Sequence, residues 1–183
     1  MNIPQLDLVI GKDNFRPQLQ VALVTKEYTY ATTAHVLVRH NTSVLFDEEF
    51  IKSLPKEGIG LTVEIIKAIR KKTVIALEIG VFETIILKSI DKKKYPDMIF
   101  RLPDISNFNF PNYEKVIVSE KDSKPLDHIA FNPRLLGNAI KALATDTDLV
   151  RVFFTEDTKA ILIRPKDSVI YSDSLAILMP VIF

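Results

Sequence analysis

Catalytic chemistry has few candidates in this sequence. The three histidines, His35, His40 and His128, lack the spacing of a metal-binding helix such as His-Glu-x-x-His. The five glycines, Gly11, Gly58, Gly60, Gly80 and Gly137, form no phosphate-cradling loop. Cysteine is absent, which excludes disulfides, zinc–thiolate sites, iron–sulfur clusters and thiol nucleophiles. No serine stands in a nucleophile elbow. Asp146 and Asp148 alternate with Thr145 and Thr147 at an expected helix end, where turn and capping roles account for them. No cofactor and no metal are therefore expected. Catalytic groups can converge from distant positions, so an enzyme stays as the weakest reading. The densest charge cluster considered is cationic: Lys67, Arg70, Lys71 and Lys72 crowd one segment.

Composition narrows the class. The chain has 183 residues, enough for one domain or two small ones that share a core. Apolar residues make up 47% of it, so it can fill an interior and is not a disordered tract. Net charge is +1, so attraction to phosphates requires basic residues concentrated on one surface. The N-terminus lacks a basic region followed by an apolar core, and no apolar run reaches membrane-spanning length. The expectation is a soluble, cytoplasmic protein without a membrane partner, which the lack of cysteine also fits.

The pattern along the chain predicts the elements that must position these groups. Gln5–Ile10 alternates as a strand and turns at Gly11-Lys12-Asp13-Asn14. Leu19–Val24 and Tyr28–Val38 read as two strands, and Ser43–Ile51 as a further one. A helix is expected over Thr62–Lys72, with Thr62 as its N-cap and Leu61, Ile65, Ala68 and Ile69 as its apolar stripe. Its cations gather at the C-terminal end, where the helix dipole favours them. Strands follow at Val74–Ile79, Glu83–Ile90 and Met98–Leu102. A second helix starts at Asn132-Pro133, a cap followed by proline at the first helical position. Leu136, Ala139, Ile140 and Leu143 form its stripe, and strands follow at Val150–Thr155, Ala160–Arg164, Ser168–Tyr171 and Leu175–Phe183.

The chain thus repeats itself. Helix, strands and a closing proline (Pro111, then Pro180) recur about 70 residues apart. Few glycines, short strands and one helix per unit predict an α+β fold, with antiparallel sheet and helices on one face.

Four segments carry a resemblance to a known family. Phe110-Pro111-Asn112-Tyr113-Glu114-Lys115-Val116 resembles the Phe-Pro-x-Tyr-x-x-Val segment of the bacterial DNA polymerase III beta subunit, the replicative sliding clamp. Tyr30-Ala31-Thr32-Thr33-Ala34-His35-Val36-Leu37 is similar to its Ala-Thr-Asp-Gly-His-Arg-Leu segment. Ala130-Phe131-Asn132 resembles the entry to its last helix, and Leu178-Met179-Pro180 its closing Val-Met-Pro. The segments occur in family order from about residue 28 onward. Thr33, Ala34 and Val36 replace the family's Asp, Gly and Arg. The tail Val181-Ile182-Phe183 is more apolar than the family's.

The resemblance implies two surfaces. The first is a pocket for short linear peptides of polymerases and other partners, at Thr32, His35, Leu37, Pro111, Val116, Ile177 and Met179. Aliphatic and thioether side chains suit apolar anchors, while the hydroxyl and imidazole suit orienting hydrogen bonds. On the residues alone, plain core is the favoured reading of Leu37, Val116, Ile177 and Met179, and a satisfied, half-buried histidine that of His35. The second surface meets double-stranded DNA through phosphates without reading sequence, at Lys67, Arg70, Lys71, Lys72, Arg134 and Lys141. An ordinary solvated helix face is the plainer reading of those charges.

The chain is about half the length expected of a clamp, which has three domains of two units each. The expected division is 1–45, strands left from a preceding unit, then 46–116 and 117–183 as two clamp-like units. Two helices per chain make a ring a matter of several copies, so a homo-oligomer is expected. Gln5-Leu6-Asp7-Leu8-Val9 also resembles a Gln-Leu-x-Leu-Phe peptide, with a plain first strand as the simpler reading. The implied function is a non-catalytic platform that holds DNA and docks peptides. The alternative is a clamp-fold scaffold that does not encircle DNA.

Overall fold

β-Branched and aromatic runs give ten strands among the described residues, and these strands pair antiparallel. The computed structural model describes residues 3–13, 15–122, 129–143, 149–155 and 160–180. His128, Thr145 to Asp148 and the tail Val181-Ile182-Phe183 lie outside them.

Strands β1 (Val21–Val24), β2 (Tyr28–Thr32) and β3 (Val36–Asn41) form a meander. β4 (Ile59–Thr62) pairs with β1. Helix α3 (Val63–Ile69) leads into a separate three-stranded meander of β5 (Val74–Gly80), β6 (Thr84–Ser89) and β7 (Met98–Arg101). Helix α4 (Pro133–Leu143) leads into β8 (Val150–Phe153), β9 (Ile161–Pro165) and β10 (Leu175–Leu178). The last meander joins the first through β3 and β10, giving a seven-stranded sheet in the order β4-β1-β2-β3-β10-β9-β8. The α+β repeat of one helix followed by three antiparallel strands is therefore present twice. Segments 1–45 and 117–183 contribute to one continuous sheet.

Successive side chains of each strand face opposite sides of the large sheet, and on β1, β2, β3, β9 and β10 both sides are largely buried, whereas β8 at the edge is half-exposed. One face carries Ala22, Val24, Ala31, Val38, Ile163 and Ala176 and packs against the stripes of α3 and α4. Both helices start as their caps dictate. Thr62 Oγ1 accepts from Ile65 N at 3.4 Å, and Asn132 Oδ1 accepts from Arg134 N at 2.9 Å. The other face carries Leu23, Tyr30, Leu37, Leu162, Leu175 and Ile177 and is covered by chain from Ile105 to Val118.

Four segments differ from their expected form. Gln5–Ile10 is not a strand: Leu6–Leu8 is a 3-10 turn packed against both α3 and α4. Leu6 is 1% and Val9 0% exposed, so the apolar residues fill the inter-helix seam. The resemblance of this segment to a docking peptide is set aside, because its anchors are core residues of its own chain. Ser43–Ile51 is helical rather than extended, as α1 (Thr42–Leu45) and α2 (Glu48–Ser53). Asp47 caps α2 by accepting from Phe50 N at 2.9 Å, and Glu48 and Glu49 occupy its first turn. Tyr28–Val38 is two strands, because the chain reverses at Thr33-Ala34-His35. Ser168–Tyr171 is a turn, closed by Tyr171 N donating to Ser168 Oγ at 2.8 Å.

A buried histidine fastens α4 to the sheet. His40 on β3 is fully buried, with Nδ1 2.7 Å from Ser174 Oγ and Nε2 3.0 Å from the carbonyl of Ala142. The carbonyl accepts only, so Nε2 carries the proton and Nδ1 accepts from the serine hydroxyl. Burial lowers its pKa from 6.5 to about 4. Between those values the unfolded chain binds a proton that the folded chain does not. Stability is therefore complete above about pH 6.5 and declines as the pH falls toward 4, by roughly 3 kcal/mol at about 1.4 kcal/mol per unit. Urea unfolding from pH 7 to pH 4 is expected to show this loss in the native protein, and a shallower slope in His40→Gln. Equal slopes in the two proteins would contradict the assignment. The β2–β3 turn gives a second expectation. Ala34 adopts φ 75°, a left-handed position that glycine occupies without penalty. Ala34→Gly is expected to stabilise by about 0.5–1 kcal/mol in the same assay.

Candidate functional site

The sheet face opposite the helices carries a groove of about 420 Å³. Leu37 and Ile177 face one another across the β3–β10 ladder and form its floor, at 4% and 2% exposure. Thr32 is paired with Leu37 on the β2 side. Pro111, Tyr113 and Val116 form one wall, and Met179, just beyond β10, forms another. His35 in the β2–β3 turn closes one end, beside Arg16, Gln18 and Leu19. All seven residues singled out in the sequence line this one groove.

The wall is held by aromatic and ionic contacts. Tyr113 stacks on Tyr30 with centroids 4.6 Å apart and planes 22° apart. Tyr30 Oη donates to Glu114 Oε1 at 2.9 Å, and Arg39 Nη1 lies 3.2 Å from both oxygens of that carboxylate. Arg39 in turn lies over the Tyr28 ring, 4.3 Å from its centroid. Burial pushes the Tyr113 phenol up to about 12. Burial and then the Glu114 hydrogen bond also raise Tyr30, so both phenols stay neutral at physiological pH. Further along, Glu120 Oε1 meets Arg164 Nε on β9 at 2.8 Å.

Individual roles differ from those expected. The Thr32 hydroxyl donates to Val36 O at 2.7 Å and accepts from Ala34 N at 3.1 Å. It shapes the turn, and its one proton is already committed. His35 has an exposed ring at the mouth, and its carbonyl accepts from Met179 N at 3.0 Å, tying the turn to the chain beyond β10. Val116 and Met179 are 45% and 43% exposed, so they are rim rather than core. Leu37 and Ile177 serve as both core and floor. Sequence reasoning missed Arg16, Gln18, Leu19, Ala34 and Val36 as lining residues. Tyr113 was within reach, since it stands inside the Phe-Pro segment.

The basic residues lie on the helix side. Lys67, Lys71 and Lys72 are exposed on α3 and just past it, and none has an ion-pair partner among the described residues. Arg134 and Lys141 are exposed two turns apart on α4, on one stripe. Arg70 is a correction: its Nη1 lies 3.1 Å from Asp7 Oδ1, whose side chain is only 8% exposed. It anchors the 3-10 turn to α3 rather than standing free. Among the described residues there is no group of three or more metal-ligating side chains and no helix long and apolar enough to cross a membrane.

Neither a protein-family model nor a curated protein matches the sequence. Solved structures match its fold. The DNA polymerase III beta subunit of Thermotoga maritima superposes with a TM-score of 0.61 at 18% identity, over 98% of this chain and 62% of that one. The H. pylori beta clamp, solved in complex with diflunisal, gives 0.66 at 12% identity, over 100% of this chain and 65% of that one. The DNA polymerase sliding clamp of Bacillus subtilis gives 0.63 at 14%, over 99% and 63%. The chain therefore has the fold of the DNA polymerase III beta sliding clamps, and it spans less than two thirds of the length of those it matches.

Proposed function

We propose that this chain is a non-catalytic, sliding-clamp-like replication accessory protein that docks peptides in the groove and holds duplex DNA along its helix side. The observation that carries the docking role is the convergence of Thr32, His35, Leu37, Pro111, Val116, Ile177 and Met179 on one apolar groove. They come from three separate stretches of sequence, around residues 32–37, 111–116 and 177–179. A floor of Leu37 and Ile177 takes an aliphatic or aromatic anchor. The thioether of Met179 adapts to its shape, and the exposed imidazole of His35 offers a polar contact at the mouth. Polymerases and other proteins with an extended apolar motif are the partners this suits.

The DNA role rests on five exposed cations on α3, just past it and on α4, Lys67, Lys71, Lys72, Arg134 and Lys141, none with an ion-pair partner among the described residues. Such contacts bind phosphates, release counterions and ignore base sequence.

Two variants separate the roles. The native protein is expected to bind a labelled Gln-Leu-Ser-Leu-Phe peptide at roughly micromolar Kd. Met179→Asp places a charge on the apolar rim and is expected to weaken that binding at least about 30-fold, roughly 2 kcal/mol, with duplex binding retained. Lys67→Glu/Lys71→Glu is expected to keep peptide binding and to lower the slope of log K against log salt for duplex DNA by about 2. Peptide binding without any salt-sensitive duplex binding would leave the scaffold reading instead. Failure of the native protein to bind the peptide would remove the docking role.

A further inference from the structure

A second groove, of about 470 Å³, lies at the β5–β6 turn and shares no lining residue with the first. Three stretches of chain build it: the turn before β4, the end of β5 with the β5–β6 turn, and the chain leaving β7. Ile79, Leu102 and Ile105 give it apolar walls, and its charged lining residues are Glu57, Glu83 and Asp104. Leu102 N donates to Glu83 O at 2.7 Å and so fastens the third stretch to the turn. Within that turn Phe82 and Glu83 have φ 54° and 55°, left-handed positions that non-glycine residues rarely adopt. The turn leaves Phe82 90% exposed, beside Glu83 in sequence.

The carboxylates of this groove have no counter-charge within it. None of the three has an ion-pair partner among the described residues. Lys56 and Arg101, close in sequence, are exposed and do not line the groove. Hydrogen bonds from the Ser106 side chain and backbone, the latter at 2.9 Å, hold the Asp104 carboxyl below its ordinary pKa, so it stays ionised at neutral pH. Like charges around one apolar floor repel one another, and a cation placed among them relieves that repulsion. The first groove has the opposite character, since its lining includes Arg16 and no carboxylate. The two grooves therefore select different partners.

We propose that the second groove docks an extended segment of a partner protein in which an aliphatic or aromatic anchor is flanked by lysine or arginine. The anchor sits among Ile79, Leu102 and Ile105, and the flanking cations meet Glu57, Glu83 and Asp104. The exposed Phe82 ring offers its face to one of those cations. Nucleic acid and anionic membrane surfaces carry the wrong sign for this rim, and a peptide such as Gln-Leu-Ser-Leu-Phe has no cation to satisfy it. Because the grooves share no residue, both can be filled at once, which makes the chain a bridge between two kinds of partner. The site is independent of what the first groove and the helix side bind.

Fluorescence anisotropy with three labelled hexapeptides tests it: Ser-Lys-Leu-Phe-Arg-Ser, the anchorless Ser-Lys-Ser-Ser-Arg-Ser and the charge-reversed Ser-Glu-Leu-Phe-Glu-Ser. In about 0.05 M NaCl the first is expected to bind with a Kd of roughly 10 μM, and the other two at least about tenfold more weakly. Glu57→Lys/Glu83→Lys is expected to weaken the first peptide at least about 30-fold, and Phe82→Ser about threefold. These positions are exposed, and circular dichroism melts check that the variants fold. An excess of unlabelled Gln-Leu-Ser-Leu-Phe is expected to leave the first peptide bound. Failure of the native protein to bind it, equal binding of the anchorless peptide, an unchanged Kd in Glu57→Lys/Glu83→Lys, or displacement by Gln-Leu-Ser-Leu-Phe would each overturn the proposal. Sedimentation in which native copies associate and Glu57→Lys/Glu83→Lys stays monomeric would give the groove to a second copy and overturn it too.

Discussion

The ladder between β3 and β10 is the constraint on which the rest depends. It pairs Arg39 with Leu175, Val38 with Ala176, Leu37 with Ile177 and Val36 with Leu178, residues more than 130 apart in sequence. Closing so long a loop costs several kcal/mol of chain entropy but grows only slowly with length. It is offset because the ladder buries both of its faces. On one side Val38 and Ala176 meet the helix core, and on the other Leu37 and Ile177 become the groove floor. His40 and Ser174 flank the ladder and extend it to the last turn of α4. Without this pairing there are two small meanders and no groove. Fold and site are here one event.

The groove wall is secured mainly by apolar contact. Burying a tyrosine removes roughly 150–250 Å² from water, which at about 25 cal/mol per Å² gives about 4–6 kcal/mol as an upper value. An ion pair with a largely exposed carboxylate, as Glu114 is with Arg39, contributes about 0–1 kcal/mol. The Tyr113–Tyr30 stack therefore sets where the Phe-Pro segment lies, and the ion pair sets its rotation. Because Tyr30 and Leu37 share one sheet face, the stack that fixes the wall borders the floor directly. A groove built this way is shaped before any ligand arrives, which reduces the ordering cost of binding.

Much of this was legible in the residues. Thr62 and Asn132-Pro133 marked both helix starts because caps act locally. The strands that follow each helix were legible because one or both faces are buried. The lining of the groove was legible only through resemblance, since Leu37 and Ile177 are indistinguishable from core by composition. Where the reading failed, tertiary packing overrode local pattern. Gln5–Ile10 alternates like a strand, yet its apolar residues wedge between two helices as a 3-10 turn. Tyr28–Val38 hid its reversal because Ala34 stands at the left-handed position that a glycine would have announced. Ser43–Ile51 is helical where a strand was expected, and the Asp47 cap carries the decisive signal. Arg70 belonged to a cationic cluster in sequence, but Asp7 claims it in space.

The central claim is that the β3–β10 floor and its Met179 rim form a binding site rather than a crevice. Methyl-resolved NMR during titration with the Gln-Leu-Ser-Leu-Phe peptide tests it most directly. The account predicts saturable shifts at Leu37, Val116, Ile177 and Met179, with the methyls of Ile86 and Ile99 on the three-stranded sheet unmoved. Shifts spread over the surface, or centred on that second sheet, would contradict it.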